Sequence, residues 1–242
     1  MLDRWQWLKT RLPITRNDES LLDFGCGSGA FTIGAALRGY HSLGLSWDRR
    51  NQNVATQRAY ICKADKASFD VLDIRKLASR TDLIASCDVA ICFENIEHII
   101  NDRKLIVDIA ACLKPGGRLL LTTPYLLNHP MSKEDMGPFT LVENGDHVRR
   151  GYSKQMLHEL CVIAGLVPER YSYVSGFLSQ KLTSASRIIS KIHPLLGWAA
   201  IFPFRWLPPL VDHTIHRLFK YPYFCICLEA FKPRHNRSSI GL

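Results

Sequence analysis

The chain has 242 residues, and 47% of them are hydrophobic, which fits one large α/β domain with an elaboration better than two small domains. Its formal net charge of +9 invites a nucleic-acid or anionic-membrane reading. The first two thirds alternate acids and bases like any solvated surface; between Leu178 and Lys220 the bases Lys181, Arg187, Lys191, Arg205, Arg217 and Lys220 face the single acid Asp212.

The opening Met1-Leu2-Asp3-Arg4-Trp5 carries an early acid and no long apolar run follows, so no signal peptide is expected. The 8 cysteines include no CxxC pair, and several lie in apolar runs. Reduced thiols and a cytoplasmic location are therefore expected over a disulfide framework.

Residues 1–18 form an N-terminal helical segment, with an amphipathic helix over Asp3–Leu12 closed by Pro13. A buried strand Ser20–Phe24 runs into the loop Gly25-Cys26-Gly27-Ser28-Gly29, and a helix follows over Ala30–Arg38. A strand is predicted over His41–Ser46, then a helix Asp48–Tyr60 with Asp48 at its N-cap. Strands follow over Ser68–Leu72 and Asp88–Phe93. A helix Asp102–Leu113 stops at Lys114-Pro115-Gly116-Gly117, before a strand Arg118–Thr123. A helix Ser153–Ala164, a strand Leu166–Tyr173 and a last strand from Tyr223 (residues 223–232) complete the pattern. Residues 233–242 read as a mobile tail.

Strand and helix alternate with short connections, and the strands read as continuous apolar runs. That predicts a doubly wound, seven-stranded, mostly parallel sheet with helices on both faces: a Rossmann-like core over 19–176. The remaining stretch, 177–222, is a helical insertion before the last strand.

A Gly-x-Gly-x-Gly turn after a buried strand lets a ligand approach the backbone. Here Asp23 precedes the first glycine, which suits a ligand with an ammonium group and disfavours a pyrophosphate. The run Leu22-Asp23-Phe24-Gly25-Cys26-Gly27-Ser28-Gly29 resembles the first motif of the class I S-adenosylmethionine-dependent methyltransferases. Phe69-Asp70-Val71-Leu72-Asp73-Ile74, Asp88 to His98 and Leu113 to Pro124 resemble the later motifs in order. The likeness covers residues 19 to 175 and the closing strand Cys225 to Lys232.

The resemblance implies S-adenosylmethionine as cofactor, held by Asp23, Gly25, Cys26, Gly27, Gly29, Ser46, Asp48, Asp73, Ile74, Phe93 and Glu94. Asp23 orients its amino-acid end and Asp73 takes the adenine amino group. Family members carry a ribose-binding acid where this chain has Ser46. Asp48 is left with two readings, ribose ligand or helix cap. Trp47 reads as an adenine flank or a core side chain.

Methyl transfer from a sulfonium needs a positioned nucleophile and, for a hydroxyl, a proton acceptor. In a helical turn, Glu94, Glu97 and His98 stand at i, i+3 and i+4 and converge. The Glu-x-x-Glu-His run resembles the ubiquinone-pathway O-methyltransferases and small-RNA 2′-O-methyltransferases, which implies a divalent ion such as Mg²⁺, Mn²⁺ or Zn²⁺ on Glu94, Glu97, His98 and a later histidine, here His147. Without metal, His98 with Glu97 reads as base or substrate contact, or as a purely structural pin of the loop. Tyr125, His129 and Tyr152 read as substrate-side or packing aromatics.

The insertion contains Pro194 to Val211, rich in tryptophan and phenylalanine, but four prolines and Arg205 argue against a continuous transmembrane helix. It reads as a lid, as a peripheral membrane contact through 194–211, or as extra core. The expected activity is O-methylation of a small apolar or lipid-linked acceptor. The alternatives are carbon methylation, RNA 2′-O-methylation (disfavoured because no RNA-binding module is recognisable) and a non-catalytic cofactor-binding scaffold.

Overall fold

Each buried run becomes one strand of a single sheet. The computed structural model describes residues 2–131 and 133–234; most of the expected tail, 235–242, lies outside the described residues. The strands are Ser20–Phe24 (β1), His41–Ser46 (β2), Ala67–Val71 (β3), Cys87–Phe93 (β4), Leu113–Pro124 (β5), Val167–Val174 (β6) and Cys225–Phe231 (β7). Their order is β3-β2-β1-β4-β5-β7-β6. The first five are parallel, and β7 runs antiparallel between β5 and β6. This is the Rossmann-like doubly wound architecture.

Helices Leu2–Lys9 (α1), Ala30–Ala36 (α2), Arg49–Ile61 (α3), Asp102–Cys112 (α4) and Lys154–Ile163 (α5) surround the sheet. Their starts follow capping chemistry: Asp48, Asn101 and Ser153 each accept a backbone amide from the first turn of α3, α4 and α5.

Several boundaries differ from the sequence pattern. The first helix stops at Lys9, and Thr10 to Leu12 continue as a turn whose Leu12 amide still bonds Leu8. β5 starts at Leu113 because that residue pairs with Cys87, while Arg118 pairs with Val89. The residues between them form a bulge stitched to β7 by Gly116 donating to the Lys232 carbonyl at 2.8 Å. The last strand starts at Cys225, not Tyr223. β3 and β6 are not continuous buried runs; they are the two edges of the sheet and bury only part of their side chains.

Two apolar clusters fill the faces. One centres on Phe24, Ile96, Leu105, Leu121 and Tyr152; the other joins Trp7, Leu8 and Leu12 to Tyr40, Ile91 and Leu120. Burying the Trp7, Leu8 and Leu12 side chains contributes of order 1.5–3 kcal/mol each. Trp7 also donates its indole N–H to Ser172 Oγ at 2.7 Å. These contacts fix α1 across the sheet and so fix Arg4. All eight thiols are free, as expected.

The insertion folds as Phe177–Ser190 (α6), Pro194–Ile201 (α7) and Pro208–Phe219 (α8), with a 3-10 turn Phe202–Phe204 between the last two. Proline divides the apolar stretch, and among the described residues no helix is long and apolar enough to cross a membrane. Asp212 on α8 is buried and accepts the Leu178 and Ser179 amides, which caps α6. Gly197 lets α7 cross α6 closely; a Cβ there would stand 2.8 Å from the Ser186 carbonyl oxygen.

Candidate active site

β1 and β4 are adjacent, and the sheet order reverses between them, so the loops after Phe24 and Phe93 open on one crevice. A cavity of about 490 Å³ lies there, bordered by Gly25, Gly27, Ser46, Trp47, Asn51, Asp73, Ile74, Arg75, Glu94, Asn95 and His98, among others. Gly27 has φ +52° and no atom within 4 Å of where its Cβ would stand, so the bare backbone faces the cavity. Gly29 serves packing: its Cβ would lie 2.7 Å from the Phe69 ring and 2.8 Å from Ala55. Cys26 and Phe93 are buried; the Cys26 thiol contacts Gln52, and Phe93 packs on Trp7 and Phe31.

Asp23 is buried beneath the loop, where Thr32 Oγ1 donates to it at 2.6 Å. Burial pushes its carboxyl up to about 7, against the pull of its hydrogen bonds from Thr32. A ligand ammonium is the group such a carboxylate suits.

Asp48 caps α3, accepting the Arg50 amide at 2.8 Å, and does not border the cavity. Of its two readings, the structure displays the cap. Ser46 does border the cavity, as does Trp47, which is 68% exposed and therefore not a core side chain. Asp73 accepts from the Arg75 amide and guanidinium, which hold its carboxyl below the usual range. Arg75 in turn pairs with Glu143 at 2.8 Å, tying the loop between β5 and α5 across the cavity mouth.

Beyond β4 the chain turns sharply at Glu94, which has φ +53°. Residues Ile96–His98 form a single 3-10 turn. Glu97 is 1% exposed, and Thr123 Oγ1 donates to it at 3.0 Å. Burial, aided by Glu94, holds the Glu97 carboxyl well above the usual range. His98 Nε2 stands 4.0 Å from Glu97 Oε1, and His98 Nδ1 is buried without a hydrogen-bond partner. The His98 and His147 rings meet edge to face, 4.6 Å between centroids. The Val148 amide donates to the Glu97 carbonyl at 3.0 Å and holds this loop in place. Burial and then His98 lower the His147 imidazole below its ordinary value.

Glu97, His98 and His147 each offer one ligand atom, all within 4.8 Å of one another. Glu94 stands outside this group. Its Oε2 accepts from Arg4 at 2.7 Å and its Oε1 from Thr122 Oγ1 at 3.0 Å. The i, i+3, i+4 convergence expected of a helical turn is broken by the left-handed residue at its start.

A second cavity, of about 730 Å³, adjoins the first and shares Glu94, His98 and Gly145 with it. Its far wall comes from α6: Ser179, Gln180, Thr183 and Arg187. The insertion is therefore a wall of this cavity and not merely added core. Tyr152 is fully buried, donating to Asp102 at 2.8 Å, and neither it, Tyr125 nor His129 borders either cavity. Arg4, Asn95 and Glu143 are site residues that the sequence did not announce. Asn95 donates to the Phe93, Phe24 and Gly25 carbonyls and so joins the two strand ends.

A family model described as a methyltransferase domain matches residues 3–170, from the helix bearing Arg4 into β6. The chain belongs to the methyltransferase-domain family. The ubiquinone biosynthesis O-methyltransferase of Marinobacter nauticus is 32% identical over 102 residues, 42% of each chain. That of Dechloromonas aromatica is 27% identical over 120 residues, 50% of each. The aligned region thus spans half or less of the length of these relatives. Phosphoethanolamine N-methyltransferase 2 of Haemonchus contortus, solved with S-adenosyl-L-methionine, superposes with a TM-score of 0.66 at 18% identity. The match covers 96% of this chain and 52% of that one, and it speaks for the fold alone. The match ends at residue 170, before the insertion and the closing strand, which lies between β5 and β6 in the same sheet.

Proposed function

We propose that the chain is an S-adenosylmethionine-dependent methyltransferase acting on a hydroxyl oxygen of a small apolar or lipid-linked acceptor. One observation carries this reading: Glu97, His98 and His147 converge where the two cavities meet. The smaller cavity fits the cofactor. Gly27 offers bare backbone and Asp73 stands where the family resemblance puts an adenine ligand. Asp23 does not border the cavity; it lies buried beneath the glycine loop, with no cation paired to it among the described residues. When bound, S-adenosylmethionine supplies an electrophilic methyl group on a sulfonium. The chain's part is to hold the acceptor hydroxyl, exclude water and take its proton.

His98 is the residue acting on that hydroxyl, directly or through a divalent ion held with Glu97 and His147. The orphaned, buried Nδ1 of His98 and the three converging donors support the ion. Two imidazoles and one carboxylate favour Mn²⁺ or Zn²⁺ over Mg²⁺. Held by these residues, an ion would supply Lewis acidity toward a bound hydroxyl. The curated relatives named for ubiquinone biosynthesis O-methylation support oxygen over carbon.

The acceptor enters from the insertion side. Trp198, Phe202 and Trp206 are 55%, 63% and 59% exposed, beside a surplus of bases, which supports peripheral contact with the inner face of an anionic membrane. The test is transfer of labelled methyl from S-adenosylmethionine to a panel of catechols and lipid-linked alcohols. Activity should fall in chelator and return with Mn²⁺. Full activity in chelator removes the ion and leaves His98 as base; no transfer by protein that binds S-adenosylmethionine removes O-methylation.

A further inference from the structure

We propose that the groove between α6 and α7 binds the phosphate or diphosphate of a lipid-linked acceptor, with the hydroxyl-bearing end of that acceptor lying beside Glu97 and His98. The proposal rests on the methyltransferase reading and names its substrate class.

The groove is a shallow, open one of about 370 Å³, bordered by Thr183, Arg187, Ser190, Lys191 and Arg205, among others. Thr183 and Arg187 also border the acceptor cavity, so the two spaces adjoin along α6. Thr183, Arg187 and Lys191 recur every fourth residue and share one helix face. Arg205 faces them from the α7–α8 connection, its guanidinium over the Trp198 ring at 4.7 Å. That contact holds the side chain in place without neutralising its charge.

Three cations border the groove, and of the acids nearby one is committed elsewhere while the other pairs with Arg187. Asp212, the only acid between residues 177 and 222, is engaged by the Leu178 and Ser179 amides. Arg187 keeps one distant ion pair, to Asp135 at 3.6 Å. Guanidinium and ammonium groups around one space are the recognition chemistry of a phosphoryl oxyanion.

The surroundings select an amphiphile over a free anion. Ile201 lines the groove itself, and Ile188, Ile192 and Leu195, on and between the same two helices, are exposed and apolar, which offers a hydrocarbon chain apolar surface away from the charge. From Thr183 to Lys191 the helix rises roughly 12 Å, the reach of a sugar ring plus a phosphate. An acceptor of that form places its charge among Arg187, Lys191 and Arg205 and its hydroxyl in the cavity beyond Thr183.

The test is calorimetric titration of protein saturated with S-adenosylhomocysteine, using geranyl diphosphate, geraniol and inorganic pyrophosphate as probes. Geranyl diphosphate should bind at least about tenfold tighter than either of the others. Lys191→Gln and Arg205→Gln should each weaken it about fivefold or more while leaving S-adenosylhomocysteine affinity unchanged. Equal binding of geraniol overturns the anion subsite, and equal binding of pyrophosphate overturns the lipid-linked class. Unchanged affinity in both variants overturns the location. Sedimentation with phosphatidylglycerol vesicles that needs Lys191 and Arg205, without geranyl diphosphate binding, reassigns the groove to lipid head groups and overturns its acceptor role. Failure of the methyltransferase reading shows separately, as failure to bind S-adenosylhomocysteine at all.

Discussion

The guanidinium of Arg4 donates to Glu94 Oε2 at 2.7 Å, joining residues 90 positions apart. The first helix thereby reaches into the site and occupies a carboxylate that the sequence pattern offers to a metal. It also separates two roles: Glu94 is neutralised by Arg4, while Glu97, beside it and buried, faces the histidines.

Arg4→Gln leaves Glu94 without its cation next to Glu97. The Arg4 and Glu94 side chains retain 13% and 28% exposure, so the loss should cost about 1–3 kcal/mol, less than a fully buried pair. Thermal melts should show the drop, and adding Glu94→Gln should recover most of it. An Arg4→Gln protein as stable as the parent contradicts the pairing.

Asp23 gives a pH signature. Its folded-state value of about 7 lies above the ordinary carboxylate value, so between the two the folded chain holds a proton that the unfolded chain has released. Stability from this group is therefore present at low pH and lost as pH rises toward 7. An ammonium ligand reverses the preference and expels the proton. Affinity for S-adenosylhomocysteine should rise from pH 5 to about 7 by up to tenfold per unit, and fall again above about 8 as the ligand amine deprotonates. Asp23→Asn should flatten the lower limb. A wild-type affinity independent of pH over that range excludes the ion pair.

The strand pattern was legible because five runs, from Leu21-Leu22 to Ile226-Cys227-Leu228, carry enough apolar side chains to demand burial. Both edge strands were also found, but their half-buried character follows from position in the sheet, which no local run reveals. Glu97, His98 and His147 were legible as residue types in a spaced pattern. Glu94's diversion was not, since it depends on where α1 docks. Arg4 has no local signature; only the burial of Trp7, Leu8 and Leu12 brings it to β4. Asp48 illustrates the reverse: an acid near the right place whose own helix claims it.

The exposed aromatics of the insertion predict a surface behaviour. The chain should co-sediment with vesicles containing anionic lipid and dissociate as salt screens the bases. Trp198→Ser with Trp206→Ser should reduce the bound fraction several-fold, since each ring removes of order 1.5–3 kcal/mol of apolar burial when inserted. Absence of binding by the unmodified chain leaves the insertion as a cavity wall alone.

On the proposed function, the bend after β1 receives a cationic amino-acid tail and not a pyrophosphate. Parallel calorimetric titrations with S-adenosylhomocysteine and NAD address it most directly, with Gly27→Val as a control that fills the open backbone face. The expected result is saturable S-adenosylhomocysteine binding that Gly27→Val abolishes, and no heat with NAD. Binding of NAD without S-adenosylhomocysteine would contradict it.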